Sequence, residues 1–209
     1  MTTGITAILL AAGESRRMGQ PKMLLPWAET TVLGQVVSMF SAGLSSKTGG
    51  QIDLDNAILV VTGGARELVE TELARLSERF PLRTVYNPDY ASGGMISSIQ
   101  AGLAALGPGT RAALIGLGDQ PQVRGETIRH ICTTFVQTES LLIIPSFQSH
   151  RGHPWLAKSA LWPEILALPP STNPRQFLDA HANQIKYVEA DASILQDLDT
   201  PEDYERHRP

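Results

Sequence analysis

The sequence predicts an α/β fold in which helices cover both faces of a mostly parallel sheet, giving three layers in the order α/β/α. Short apolar runs alternate along the chain with segments whose apolar residues recur at helical spacing. Three of these runs, residues 5–11, 57–62 and 112–117, are apolar almost throughout. Runs of this kind are typical of parallel strands that are buried on both faces. With 209 residues, 42% of them hydrophobic, the chain fits a single domain with a sizeable core.

Strands are predicted where an apolar or β-branched run ends at residues that favour turns. They cover residues 5–11, 57–62, 83–86, 112–117, 141–144 and 185–188. Helices are predicted where apolar residues recur every three or four positions, over residues 32–40, 66–79, 95–106, 126–136 and 173–181. Thr31 and Thr200 are candidate N-caps, and Pro201 follows the second of them at the first helical position. Residues 45–55 are polar, contain paired glycines and predict a surface loop.

Composition excludes several classes of protein. The formal net charge of -4 argues against a long nucleic acid as partner, since such proteins usually carry a basic surplus. The single cysteine, Cys132, rules out a disulfide within the chain and a cysteine-rich zinc site, and we expect it to be a buried apolar residue on a helix. The first apolar run is too short to span a membrane and no basic segment precedes it, so we expect a cytoplasmic protein without membrane contact.

The loop after the first strand combines glycines and cations within ten positions. Gly13 and Gly19 allow the backbone to approach a phosphate closely, and Arg16, Arg17 and Lys22 add positive charge. The spacing fits neither the Walker loop nor the dinucleotide fingerprint G-x-G-x-x-G. Taken alone, such a loop is either a triphosphate site or an ordinary surface turn.

Two aspartates are candidates for binding Mg²⁺. Asp119 follows the apolar run 112–117 after a single glycine, at the sheet edge where ligands of parallel α/β proteins bind, although an aspartate there can also cap the next turn. Asp199 precedes the Thr200 cap, which does not need it. Because Mg²⁺ prefers one or two carboxylates together with phosphate oxygens and water, this pair would suffice if the fold brought the two side chains together.

Five short segments follow one another in a recognisable order. They are Leu10-Ala11-Ala12-Gly13 through Pro21-Lys22, Asn87-Pro88 through Ala101-Gly102-Leu103, Gly118-Asp119-Gln120-Pro121, Arg151-Gly152-His153-Pro154, and Asp197-Leu198-Asp199-Thr200-Pro201-Glu202-Asp203. In this order they resemble the molybdenum-cofactor cytidylyltransferases, which are nucleotidyltransferases with a glycosyltransferase-A-like fold. The resemblance covers nearly the whole chain and implies a Rossmann-like sandwich of the nucleotide-diphospho-sugar transferase type.

The resemblance also implies roles for particular residues. The implied nucleotide-binding residues are Leu10, Ala11, Ala12, Gly13, Arg16, Gly19, Lys22, Ser97 and Ser98. Lys22, Arg17 and Asp119 are the implied catalytic residues, and Asp119 and Asp199 the implied ligands of Mg²⁺. The turn of Arg151, Gly152 and His153 would border the acceptor pocket. His150 and His153 could instead be read as metal ligands, but two histidines with no third ligand more often make hydrogen bonds in a turn.

The implied activity is Mg²⁺-dependent transfer of CMP from CTP to a molybdopterin-type acceptor, with release of pyrophosphate and a molybdenum hydroxylase as client. Ala12 resembles the cytidine-using branch, since the guanosine-using branch usually has glycine there. Residues 1–120 would form the nucleotide-binding half of one nucleotidyltransferase domain, and residues 121–209 the acceptor-binding half. Guanylyl transfer, transfer to a sugar or alcohol phosphate, and a non-catalytic carrier or maturation factor for the molybdenum cofactor remain alternatives. The loop 45–55 is longer than the usual connection of the family, and residues 148–150 do not match its pattern.

Overall fold

The fold is built around one central strand. The computed structural model describes residues 4–45 and 58–209, and in it all seven residues of β1 (Ile5–Ala11) are buried. β1 pairs in parallel with β4 (Ile58–Thr62) on one side and with β6 (Ala112–Leu117) on the other. The three continuous apolar runs therefore form adjacent strands in the middle of the sheet, as their composition predicts.

The remaining strands extend the sheet in both directions. These outer strands are β5 (Leu82–Tyr86), β7 (Leu142–Phe147), β8 (His150–Arg151), β9 (Trp155–Lys158) and β10 (Ile185–Glu189). The strand order is β10-β7-β9-β6-β1-β4-β5, with β8 paired to β7 outside this path. β9 lies antiparallel between β6 and β7, and β8 is antiparallel to β7, while the other pairs in this sheet are parallel.

The sequence did not indicate β8 and β9. The first is two residues long and the second four, both lie beside glycine or proline, and neither shows the alternation of a half-buried strand. Their conformation is set by pairing with β6 and β7, which lie elsewhere along the chain. A short hairpin of β2 (Pro26–Trp27) and β3 (Thr30–Thr31) was also missed for the same reason of length.

Helices cover both faces of the sheet, which confirms the three-layer prediction. One face packs against α1 (Val32–Leu44), α2 (Arg66–Ser77) and α4 (Gly125–Gln137). The other packs against α3 (Gly94–Ala104), α5 (Trp162–Ala167) and α6 (Pro174–Ala180). Cys132 is buried on α4, as expected. The predicted loop 45–55 lies, apart from Ser45, outside the described residues. In the described residues, no helix has the length and apolar character needed to cross a membrane.

A third, smaller apolar cluster brings the end of the chain to its beginning. Leu198 and Tyr204 pack with Leu25, Trp27 and Val32. The Tyr204 hydroxyl donates to the Pro26 carbonyl at 2.6 Å. The last helix, α7 (Pro201–His207), begins at a capping box of Thr200 and Asp203, which confirms the predicted cap. This cluster places the segment that carries Asp199 beside the loop that carries Lys22.

Candidate active site

A cleft with a volume of about 290 Å³ opens where β1 and β6 end. Its floor and one wall come from the ends of these two strands and the loops that follow them. The opposite wall comes from the start of α3 and the loop before it. The lining residues are Leu10, Ala12, Gly13, Lys22, Met23, Tyr90, Gly94, Met95, Ser98, Leu117 and Asp119. The cleft therefore lies at the carboxyl ends of parallel strands, where α/β proteins bind ligands.

The loop after β1 is folded back on itself by local hydrogen bonds. The backbone N–H of Lys22 donates to Ser15 Oγ at 3.0 Å, and that of Met18 donates to the Ser15 carbonyl at 2.9 Å. Ser15 and Gly19 take left-handed conformations with φ of 53° and 67°, which flank the 3₁₀ turn Arg16–Met18. This turn gives the loop its tight curvature and presents Lys22 to the cleft.

Gly13 leaves the cleft open at the loop after β1. A Cβ atom built on Gly13 would meet no atom within 4 Å. Gly13 also lines a second depression, of about 250 Å³, together with Ser15, Arg17, Lys22 and Asp199. The two depressions share Gly13 and Lys22, so one elongated ligand could occupy both.

The ammonium group of Lys22 lies between two carboxylates that are distant in sequence. Lys22 Nζ forms an ion pair with Asp119 Oδ2 and another, at 3.0 Å, with Asp199 Oδ1. The side chains of Lys22 and Asp119 are only 12% and 13% exposed, whereas that of Asp199 is 38% exposed. Arg17 Nη2 contacts the second oxygen of Asp199 at 2.9 Å from an exposed position. The structure thus brings together four of the charged residues singled out from the sequence, namely Arg17, Lys22, Asp119 and Asp199.

The surroundings of these groups favour their charged forms. Burial works against the charge of Lys22, but Asp119 and Asp199 outweigh it and raise the pKa of Lys22 above 10.5. Burial likewise works against the charge of Asp199, but Lys22 and Arg17 lower the pKa of Asp199 below 3.8. At neutral pH Lys22 is therefore an ammonium and Asp199 a carboxylate.

Gln120 and Asp197 are site residues that sequence reasoning missed as functional. Gln120 is buried, and its Nε2 donates to Asp197 Oδ1 at 2.7 Å. Burial and the nearby charge of Asp119 raise the pKa of Asp197. Gln120 directly follows Asp119, and Asp197 lies two positions before Asp199. Their closeness to the two candidate metal ligands is the feature of the sequence that could have identified them.

A buried amide organises the serines at the start of α3. Asn87 Nδ2 donates to Ser97 Oγ at 2.9 Å and to Ser98 Oγ at 3.0 Å. Ser97 Oγ in turn donates to the Gly94 carbonyl at 3.0 Å. Ser98 lines the cleft, whereas Ser97 does not. Asn87 is therefore a further residue whose part in the site was not anticipated.

None of the three residues of the predicted acceptor turn lines the cleft. Arg151 pairs with Asp179, and its Nε donates to the Tyr187 hydroxyl at 2.8 Å. A Cβ on Gly152 would lie 2.4 Å from the Ile194 carbonyl, so only glycine fits there. Burial lowers the pKa of His153 to about 4. The turn is thus held by α6, β10 and the segment before Asp197, and its role toward an acceptor stays a prediction.

Comparisons with known proteins identify the family. The model of the MobA-like NTP transferase domain matches residues 7–185. The chain belongs to this family. The chain is 30% identical to the molybdenum cofactor cytidylyltransferase of Escherichia coli strain K12 over 206 residues, which cover 97% of this chain and 94% of the relative. It is 26% identical to the purine catabolism protein PucB of Bacillus subtilis strain 168 over 210 residues, or 98% of this chain and 96% of the relative.

Solved structures share the fold of this chain. Rv0371c from Mycobacterium tuberculosis H37Rv superposes with a TM-score of 0.79 at 27% identity, covering 99% of this chain and 97% of that one. A structure of Rv0371c in complex with manganese gives a TM-score of 0.74 at 25% identity, over 97% and 96% of the two chains. This MobA-like NTP transferase therefore shares its whole fold with a protein that has been seen with a divalent metal.

The carboxylates of this MobA-like NTP transferase suit a divalent cation of the magnesium type. Asp119 and Asp199 already hold a cationic group between them, the ammonium of Lys22. Among residues 4–45 and 58–209, no group of three or more histidine, cysteine, aspartate or glutamate side chains could enclose a metal, so His150 and His153 do not form such a site. Asp119 and Asp199 are therefore the residues that could hold a divalent cation, since such ions can be bound by one or two carboxylates with other ligands from phosphates and water.

Proposed function

We propose that this protein transfers a cytidylyl group from CTP to a phosphate of a molybdopterin-type acceptor and releases pyrophosphate. One observation carries the proposal: Asp119 and Asp199 meet at Lys22, at the edge of a cleft that begins at Gly13. Opposite charges close to a glycine-bearing loop are what a metal-bound triphosphate requires.

The nucleotide would lie along the two depressions that share Gly13 and Lys22. The base and ribose would lie in the cleft near Leu10, Ala12 and Ser98, and the triphosphate in the depression near Ser15 and Arg17. Arg17 is 69% exposed and therefore free to turn from Asp199 to a phosphate at little cost. Lys22 would contribute a point charge to the same phosphates.

Asp119 and Asp199 would hold Mg²⁺, which would supply neutralisation of phosphate charge. That Rv0371c, which shares this fold, has been solved in complex with manganese supports a metal in the proposal. Asp119 is fixed at the end of β6 by a backbone hydrogen bond of 3.0 Å from the Gly118 N–H to the Leu10 carbonyl. Asp199 is fixed by the buried Leu198 before it and the Thr200 cap after it. Both ligands are therefore positioned before a nucleotide arrives.

In the reaction, an oxygen of the acceptor phosphate would attack the α-phosphorus of CTP. The bond from that phosphorus to the bridging oxygen would break, and its electron pair would leave with pyrophosphate. The nucleophile is already ionised, so the protein needs no strong base. Lys22 and Arg17 would stabilise the charge that develops on the leaving pyrophosphate. Catalysis would thus consist of positioning and charge neutralisation.

The choice of CTP and of the acceptor is supported by the relative from Escherichia coli, which is named a molybdenum cofactor cytidylyltransferase. Ala12, which lines the cleft, agrees with that choice because a methyl group there narrows the space beside the base. Guanylyl transfer, or transfer to a sugar or alcohol phosphate, would use the same charged residues with a different nucleotide or acceptor.

Pyrophosphate release tests the proposal directly. Purified protein is assayed with Mg²⁺ and each of CTP, GTP, ATP and UTP, with and without molybdopterin. We expect release to depend on both CTP and the pterin. Replacing Asp119 with alanine removes one preorganised charged group, which is worth about 2.7–4 kcal/mol in comparable sites, so turnover should fall about a hundredfold or more. Turnover of Asp119→Ala equal to that of the wild type would remove Asp119 from the mechanism.

A second candidate is a protein that binds the pterin and passes it to a molybdenum hydroxylase without making a bond. It is favoured by the similarity to PucB, which is named for purine catabolism rather than for a transferase activity. The same assay separates the two functions. Tight pterin binding with no pyrophosphate release from any of the four nucleotides would support the carrier and contradict the transferase.

A further inference from the structure

The two aspartates beside Lys22 are carried by different parts of the chain. Asp119 follows β6, and Asp199 lies in the segment before α7. Two side-chain links join these parts at the site. One is the ammonium of Lys22, which contacts both carboxylates, and the other is the hydrogen bond of 2.7 Å from Gln120 Nε2 to Asp197 Oδ1. These two links differ in what a bound cation would do to them.

The link through Lys22 occupies the place that a divalent cation needs. The ammonium already uses one oxygen from each carboxylate, so a cation held by the same oxygens would take its place. The link between Gln120 and Asp197 uses neither of these carboxylates. It would therefore still join the two parts of the chain when the ammonium has been replaced.

The Gln120 end of this second link is buried, whereas Asp197 itself is exposed and is anchored by its neighbour Leu198. Gln120 is only 3% exposed, and Leu198, which separates Asp197 from Asp199, is fully buried in the small apolar cluster. The carbonyl oxygen of Gln120 is buried as well and has no hydrogen-bond partner among the described residues. The Gln120 amide is thus held mainly by its single bond to Asp197, and loss of that bond would leave both of its polar atoms unpaired.

We infer that Gln120 and Asp197 are positioning residues, whose hydrogen bond sets the separation of Asp119 and Asp199 for one divalent cation. This inference rests on the proposed function for the metal site. Groups that orient a metal ligand without touching the metal typically change its affinity by about 10–100-fold when they are removed. The bond from Gln120 to Asp197 acts in the same way, through the backbone next to each ligand.

Three variants of the full-length protein separate the hydrogen bond from the charge. Asp197→Asn removes the charge but keeps an oxygen that can accept from Gln120, and its new amide can donate to the unpaired Gln120 oxygen. Asp197→Leu removes both the charge and the acceptor at similar volume. Gln120→Met removes the donor and leaves Asp197 in place. The probe is Mn²⁺ alone, titrated into each protein while the free ion is measured by electron paramagnetic resonance.

We expect Asp197→Asn to bind Mn²⁺ within about threefold of the wild type, and Asp197→Leu and Gln120→Met to bind it at least tenfold more weakly. The double variant Gln120→Met/Asp197→Leu should lose no more affinity than either single change, because both remove one interaction. Thermal unfolding of each variant shows whether the fold is retained. A merely structural role would lower the unfolding temperature without separating Asp197→Asn from Asp197→Leu in Mn²⁺ affinity.

The Asp119→Ala variant tells the two proposals apart. If it loses Mn²⁺ binding while Asp197→Leu binds like the wild type, the positioning role is wrong and the metal site stands. If Mn²⁺ binding does not depend on Asp119 at all, the metal site of the proposed function is wrong, and the positioning role falls with it.

Discussion

Replacing Lys22 with methionine should destabilise the protein in the absence of magnesium and increase the stabilisation that magnesium gives. Methionine keeps an unbranched chain of similar length but leaves Asp119 and Asp199 without the cation that lies between them. Loss of one partner from a fully buried ion pair costs about 3–5 kcal/mol, and loss of an exposed pair costs at most about 1 kcal/mol. Asp119 is nearly buried and Asp199 is more than one-third exposed, so we expect an intermediate loss of about 2 kcal/mol.

For a chain of this size, a loss of about 2 kcal/mol lowers the unfolding temperature by roughly 4–8 °C. The assay is thermal unfolding of wild type and Lys22→Met in chelator and in saturating Mg²⁺. Mg²⁺ should raise the unfolding temperature of the variant more than that of the wild type, because its carboxylates are not shared with an ammonium. Lys158→Met is the matched control, since Lys158 pairs with Glu139, whose side chain is 98% exposed.

The loss of stability in Lys22→Met should be independent of pH over a wide range. Asp199 has its pKa lowered below 3.8, so its share of the stability is lost only as the pH falls through that lower value. Lys22 has its pKa raised above 10.5, so its share is lost only as the pH rises through that higher value. This reasoning is wrong if Lys22→Met and Lys158→Met unfold at the same temperature. It is also wrong if Mg²⁺ raises the unfolding temperature of wild type and Lys22→Met by the same amount.

Two further predictions concern Gly13 in the loop after β1 and His153 in the predicted acceptor turn. Gly13→Ala should unfold at the wild-type temperature, because a Cβ there meets nothing within 4 Å, yet bind CTP about tenfold more weakly, because the methyl group occupies the cleft. Calorimetry measures the affinity for CTP. Gly107→Ala is the control, since a Cβ there also meets nothing within 4 Å. Unchanged CTP binding by Gly13→Ala would contradict the role of Gly13. Burial lowers the pKa of His153 to about 4, so the unfolded chain takes up a proton between pH 6.5 and pH 4 that the folded protein does not. In urea unfolding, the free energy of unfolding of the wild type should therefore fall more steeply over this pH range than that of His153→Gln. His150→Gln, at an exposed position, is the control. Parallel plots of this free energy against pH for wild type and His153→Gln would disprove the burial argument.

Local sequence determined the centre of the fold. β1, β4 and β6 are apolar along their whole length because both faces of each strand are covered, and that pattern needs no knowledge of the partners. Helical spacing located α1, α2, α3, α4 and α6 but not the six-residue α5. The caps at Thr31 and Thr200 depend only on the following three or four residues. The end of β6 likewise predicted that Asp119 would face a ligand cleft.

Tertiary structure alone decided what depends on contacts between distant segments. β9 was not foreseen because four residues carry too little pattern, and its antiparallel place between β6 and β7 comes from pairing. Lys22 and Asp199 meet across 177 positions because the apolar cluster around Leu198 and Tyr204 folds the end of the chain onto its beginning. The hydrogen bond between Gln120 and Asp197 follows from the same folding. Residue types thus indicated which groups could perform the chemistry, whereas their separations were set by long-range packing, which local sequence patterns do not encode.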